Sequence, residues 1–175
     1  GTGILLQEAV TVFNDTRFIL ADPSTAMLAR ANIKLGEHPR VTVAEPAGSG
    51  ELQYPSGSLA VITAIQSHHY MTPENRKLAT ANCFRMLVPG GIYVTFENIR
   101  PFTPAGIEIG LRRWADFQAG CGKPLDEASK HVARFDKEFY PITIEEHLDL
   151  LRSAGFSTVE ILWSSYMQAG FYAIK

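Results

Sequence analysis

Three groups of residues in this chain have the types and the spacing to do chemistry. The first is Gly1-Thr2-Gly3, followed 19 positions after Gly3 by Asp22. That separation suits a nucleotide-binding βαβ unit. A glycine turn there lets the backbone approach a ligand, and a later carboxylate accepts hydrogen bonds from ribose hydroxyls. The second is Gln66-Ser67-His68-His69-Tyr70, which closes an apolar run. An imidazole titrates near neutral pH, so His69 or His68 is a candidate base, and either can instead hold the loop by hydrogen bonds. No third ligand stands at metal-binding spacing, so no metal is expected. The third is Glu97-Asn98-Ile99-Arg100. Glu97 suits a base or an orienting group, or an ion pair with Arg100 or another arginine. Beyond it, Arg112-Arg113-Trp114 reads either as a clamp for an anionic substrate or as a solvated helix face with one buried ring.

Such groups are useful only if rigid elements hold them. The chain has 175 residues, 46% hydrophobic and 19% charged, enough for one globular domain with a real core. A net charge of −2 gives no general attraction to nucleic acid or anionic membrane, and no apolar run approaches the roughly 20 residues of a membrane span. Cys83 and Cys121 lack CxxC spacing and read as reduced thiols, which points to the cytoplasm.

Periodicity predicts a helix over 4–14, with Leu5, Leu6, Ala9, Val10 and Phe13 on its buried side, and a strand over 17–21. A second helix, capped by Asp22 or Ser24, carries Met27, Leu28, Ala31 and Leu35 and stops at Gly36. A short strand covers 41–44, a breaker-rich loop 45–58, and a fully covered parallel strand 59–65. Thr72-Pro73 opens a helix to about Met86 that presents Leu78, Ala81, Cys83 and Phe84 to its neighbours. Val88-Pro89-Gly90-Gly91 is a tight turn before a strand over 92–96. Strands alternating with helices predict an α/β, doubly wound, mostly parallel Rossmann-like sheet. Residues 101–140 hold two amphipathic stretches, 105–118 and 125–135, and read as a helical cap inserted into a single domain. Thr143 to Glu146 forms a capping box, and two strands, about 156–163 and 166–175, end the chain as an antiparallel hairpin parted by Ser164-Ser165.

Four stretches, in this order, resemble the class I S-adenosylmethionine-dependent methyltransferases of the small-molecule methyltransferase-domain type. Gly1-Thr2-Gly3 is similar to the end of the family's glycine-rich motif. Asp22-Pro23-Ser24-Thr25-Ala26-Met27-Leu28 resembles its ribose-binding acidic residue and following helix. Leu52-Gln53-Tyr54-Pro55-Ser56-Gly57-Ser58-Leu59 resembles the loop before the fourth strand, and Arg85-Met86-Leu87-Val88-Pro89-Gly90-Gly91 the turn before the fifth. The likeness covers about 1–98 and 141–175 and leaves out the cap.

The resemblance implies S-adenosylmethionine as cofactor, held by Gly1, Thr2, Gly3, Asp22, Pro23, Met27, Ala64, Ile65 and Gln66. At the end of the third strand the family often has an aspartate for the adenine amine. Here Glu45 is the residue able to take that role, since Pro46 has neither a side-chain acceptor nor an N–H. Ala60 stands where the family usually has aspartate. The family's first strand does not precede Gly1. It should lie between strands 17–21 and 59–65, so that position is expected to be unfilled, those two strands unpaired with each other, and an N-terminal segment present in the natural protein.

The implied reaction is methyl transfer to a small-molecule acceptor, through oxygen, nitrogen or carbon. Its pocket is expected under residues 101–140 and over the ends of strands 59–65 and 92–96. His69, His68 and Glu97 are the catalytic candidates, and Tyr70, Arg100, Arg113 and Trp114 the substrate contacts. Phe102, Trp114 and Phe117 would exclude water. A nicotinamide-dependent oxidoreductase remains an alternative, although Leu6 stands where its third glycine would fall. A non-catalytic binding protein on the same fold is the other.

Overall fold

A computed structural model describes residues 1–175, which pack into two compact units, Gly1–Gln53 and Tyr54–Lys175. Within the first unit, α1 spans Ile4–Val12, β1 Phe18–Leu20, α2 Thr25–Leu35 and β2 Val41–Val43. β1 and β2 pair in parallel, with Ile19 opposite Thr42. Ser24 caps α2 by accepting from the Met27 N–H, and Gly36 is the C-cap. The core of this unit is Leu20, Leu28, Ala31 and Leu35, with Leu6, Val41 and Val43 packed against it. Only one stripe of α1 reaches buried surroundings. Val10 is buried, whereas Leu5 and Phe13, expected on the same side, are exposed. A two-stranded sheet has too little surface to cover more of the helix. Met27 is likewise exposed, one position off the Leu28–Ala31–Leu35 stripe.

The second unit contains β3 (Leu59–Ile65), a 3₁₀ turn (His68–Tyr70), α3 (Pro73–Met86), β4 (Leu87–Asn98), α4 (Pro104–Gly120), α5 (Leu125–Val132), α6 (Ile144–Ser153), β5 (Thr158–Ser165) and β6 (Gln168–Ile174). Its sheet runs β3-β4-β6-β5; β3 pairs with β4 in parallel, and β6 is antiparallel to both β4 and β5. Parallel pairs joined through helices and a terminal antiparallel hairpin are the α/β architecture expected. Neither β1 nor β3 has a strand on its other edge. That explains a miss: β3 was expected to be covered on both faces, yet Val61 is 56% exposed and only Ala64 is buried.

Two further boundaries differ. The Pro89-Gly90-Gly91 turn lies inside β4 as a bulge. Leu87 faces Leu59, and the register resumes with Ile92 opposite Val61. Gly90 takes φ +75°, a left-handed conformation that glycine tolerates, and its N–H still donates to the Lys175 carbonyl at 2.8 Å. The last hairpin turns at Tyr166 and Met167, not at Ser164-Ser165, which remain in β5.

α3 starts as expected: Thr72 caps it, and Pro73 occupies its first turn. Its buried face matches the expectation at Cys83 but not at Leu78. Leu78 is 64% exposed, and the buried residues are Arg76, Ala79, Thr80, Cys83 and Met86. These recur at helical spacing, but the stripe begins with an arginine. α6 opens with the capping box, Thr143 and Glu146 bonding reciprocally, and buries His147 and Leu151. No helix is long and apolar enough to cross a membrane.

Candidate functional site

The residues picked out for cofactor and for chemistry fall into two groups, one in each unit. In Gly1–Gln53, Gly3 stands before α1 with φ +78°. A Cβ there would lie 2.9 Å from Leu35 Cδ1 and 3.2 Å from Leu20 Cδ1. Both the left-handed backbone and the close approach to α2 and β1 therefore call for glycine. Gly1 has open space where a side chain would stand. Asp22 follows β1 and is half-buried. Its Oδ1 accepts from the Ser24 N–H at 2.7 Å, and its Oδ2 accepts from the Gly1 nitrogen. Each oxygen keeps a second lone pair for a ligand. Glu45 follows β2, so both carboxylates stand at the carboxyl ends of parallel strands, where open α/β sheets bind ligands. Thr2 and Pro23 flank this surface.

The second group grows from the pleat of β4. Period-two alternation puts Tyr93, Thr95 and Glu97 on one face, and all three are buried. α3 brings Arg76 and Thr80 over that face, and α6 brings His147. Together with His68 they line a small cavity. Glu97 is 0% exposed and His69 1%. The Glu97 carboxylate accepts from four donors: the His68 N–H at 3.2 Å, the His69 N–H at 3.0 Å, His69 Nδ1 at 2.7 Å and Thr95 Oγ1 at 2.7 Å. Burial alone pushes its pKa up. The hydrogen bond to His69 and the nearby His68 outweigh that and hold the carboxyl below its ordinary range. An ionised carboxylate 2.7 Å from Nδ1 keeps a proton on that nitrogen; Nε2 is buried without a hydrogen-bond partner.

Burial lowers the pKa of His68, with Glu97 opposing and Arg76 and His69 adding to the effect; Tyr93 Oη lies 3.3 Å from its Nδ1. Tyr70 and Phe139 cover the His69 ring, at centroid distances of 4.4 and 6.1 Å. Between Ala64, which ends the buried part of β3, and this turn, Gln66 holds φ +52° while its N–H donates to the Phe96 carbonyl at 2.7 Å. A non-glycine residue in that region is strained and favours a functional reason. Ile65 beside it is half-buried.

The structure thus joins His68, His69 and Glu97 and sets Tyr70 against them. It does not join Glu97 to Arg100, the ion pair considered from sequence. Arg100 bonds Asp136 instead and lies over the Phe135 ring at 5.1 Å. Arg113 lies over Tyr166 at 4.8 Å, outside this cluster. Trp114 packs on Phe139 at 5.9 Å, within a core of Phe135, Phe139 and Met167 that α4 closes. Phe102 and Phe117, expected to exclude water, are largely exposed. Arg76, Thr95, Tyr93 and His147 were not foreseen as part of the site. The Tyr93-x-Thr95-x-Glu97 alternation was the available signal.

The methyltransferase-domain family profile matches residues 1–91. A carboxy-S-adenosyl-L-methionine synthase of Marinobacter nauticus is 28% identical over 167 residues, 93% of this chain; the chain spans 65% of that relative's length. Among solved structures, the apo S-adenosylmethionine-dependent methyltransferase SibL superposes with a TM-score of 0.70 at 15% identity, covering 100% of this chain and 48% of the other. Human N-acetylserotonin methyltransferase in complex with SAM gives 0.68 at 14%, covering 100% and 45%. With the glycine turn, the strand-end carboxylates and the terminal antiparallel hairpin in place, the chain belongs to the class I S-adenosylmethionine-dependent methyltransferase family.

Proposed function

We propose that this chain binds S-adenosylmethionine and transfers its methyl group to a small-molecule acceptor. The observation that carries this reading is Gly3, left-handed and packed closely on Leu20 and Leu35, with the Asp22 carboxylate at the end of the adjoining strand. Such a cradle fits a nucleoside. Gly1, Thr2 and Gly3 would line the approach, Asp22 and Pro23 the ribose side, and Met27 and Glu45 the base. When bound, the cofactor supplies a methyl already activated on a sulfonium.

The chain's own residues then orient the acceptor and handle its proton. For an oxygen or nitrogen acceptor, His69 accepts that proton at Nε2 while Nδ1–H stays on Glu97, a contribution of about 10²–10⁴-fold. Tyr70, Arg100, Arg113 and Trp114 belong to the acceptor side, with residues 101–140 acting as the cap. No nucleic-acid partner is part of this reading, in keeping with the net charge of −2. Two unbridged thiols, Cys83 and Cys121, suit the reducing cytoplasm.

A second reading comes from the Marinobacter relative, whose name says that it makes carboxy-S-adenosyl-L-methionine. On that reading the cofactor itself is the substrate. Mass spectrometry separates the two: S-adenosylhomocysteine with a methylated acceptor supports transfer, and a carboxylated S-adenosylmethionine supports the second. Asp22→Ala is expected to weaken S-adenosylhomocysteine binding by about 1.5–3 kcal/mol, the scale of a hydrogen bond to a charged group. Isothermal titration calorimetry that finds equal affinity for the two proteins removes Asp22 from the site.

A further inference from the structure

We infer that Arg76 is a positioning residue for His69, acting with Glu97 as a two-sided clamp on the turn that carries it. This rests on the reading of His69 as the proton acceptor. Arg76 is 2% exposed, and with Glu97 it is one of two formal charges buried in the chain's interior. Its Nε donates to the His68 carbonyl at 3.0 Å, and its Nη2 donates to the Met71 carbonyl at 3.2 Å and to the Tyr140 carbonyl. The Tyr140 N–H returns to the His69 carbonyl at 2.6 Å.

Taken with Glu97, every backbone polar group of the two histidines is assigned. Both N–H groups point to Glu97, the His68 carbonyl accepts from Arg76, and the His69 carbonyl accepts from Tyr140, whose own carbonyl accepts from Arg76. Glu97 takes the ring at Nδ1. The one polar atom of His69 left without a partner is Nε2. Burying a guanidinium is costly unless it is paired and its donors are used. A helix needing only an apolar anchor at this point would take leucine more cheaply. What arginine adds is a planar fork that spans three carbonyls on two segments, one of them at Tyr140, 64 positions from Arg76 in the chain. Lysine cannot reproduce that fork, although it keeps the charge.

The test is Arg76→Lys, read by the ¹⁵N–¹H spectrum of the histidine ring nitrogens, which reports tautomer directly and requires no knowledge of the acceptor. In the unaltered protein His69 is expected to show a single tautomer with the proton on Nδ1. In Arg76→Lys the signal is expected to broaden or split into two tautomers, with the melting temperature lowered by only a few degrees. Arg76→Gln, which keeps a single amide donor but not the fork, provides a second variant in which the same loss of a single tautomer is expected. Ala79→Gly, buried on the same helix but outside the cavity lining, controls for general loosening and is expected to leave the His69 signal alone. An unchanged His69 signal in Arg76→Lys overturns the inference, as does an equal change in Ala79→Gly. Failure of the methyl-transfer reading shows elsewhere, as absence of S-adenosylhomocysteine binding in calorimetry with His69 still held in one tautomer.

Discussion

Glu97→Ala is expected to cost the unit Tyr54–Lys175 about 3–5 kcal/mol, the usual penalty for removing one partner from a buried charged network. The carboxylate accepts all four of its hydrogen bonds from buried groups. Alanine leaves the His68 and His69 N–H groups without acceptors, at about 1–3 kcal/mol each. It also leaves the Arg76 guanidinium as a buried cation without its opposite charge. Set against a total stability of roughly 5–15 kcal/mol, that is about a fifth or more of what holds a domain together. Glu97→Gln keeps the shape but turns an amide donor toward groups that are themselves donors, so a smaller loss, about 1.5–3 kcal/mol, is expected. Urea unfolding at pH 7.5, monitored by far-UV circular dichroism, measures both. A Glu97→Ala protein within about 1 kcal/mol of the parent would show that water replaces the carboxylate freely and that the turn does not depend on it.

The same buried carboxylate shows where the sequence could be read and where it could not. Residues whose role is local were legible. Gly3 needs a left-handed backbone, Ser24, Thr72 and Thr143 cap helices, Pro73 suits a first turn, and each declares itself from its immediate neighbours. The spacing of Gly3 and Asp22 and the ends of the apolar run 59–65 were legible for the same reason. His69 and Glu97 were legible as chemistry-bearing residues at strand ends, but their partnership was not, because 28 positions separate them and only sheet register brings them together.

Arg76 escaped because periodicity counts apolar residues, and a charged residue on the buried stripe shifts the apparent face of the helix. The apolar count alone points Leu78 at the core, yet it lies in solvent. The exposure of β3 escaped because a continuous apolar run says that a strand suits the middle of a sheet. Whether it has neighbours on both edges depends on other segments. The inner turn of β4 escaped for a related reason. Pro89-Gly90-Gly91 has the composition of a loop, and only the pairing with Lys175 and with β3 keeps it within the strand.

Stability is expected to fall as pH drops from about 6.5 toward 4, before the carboxylates titrate, and His147 is the main cause. Its ring is buried, stacked on Phe171 at 4.8 Å, with Nε2 buried and lacking a partner. Burial lowers its pKa from 6.5 to about 4; Glu97 and Glu146 oppose this, while Arg76 and His68 reinforce it. The sign follows from which state holds the proton. Between these two values the unfolded chain is protonated at this site and the folded one is not. The unfolded state therefore binds more protons, and stability rises with pH across the window. The difference is worth about 3 kcal/mol, fully present above the unfolded pKa and gone below the folded one. His68, lowered in the same direction, adds to the slope. Glu97 acts in a more acidic window: its depressed pKa contributes stability that is present above the ordinary carboxylate value and is lost as the pH falls from there through its folded pKa. His147→Phe keeps a ring against Phe171 but does not titrate. Urea unfolding from pH 7.5 to 4.5 should show a steep loss in the parent and less than half that loss in the variant, whatever their absolute stabilities. Parallel curves would mean that His147 reaches solvent and is protonated without unfolding, in which case its burial does not control the acid limb.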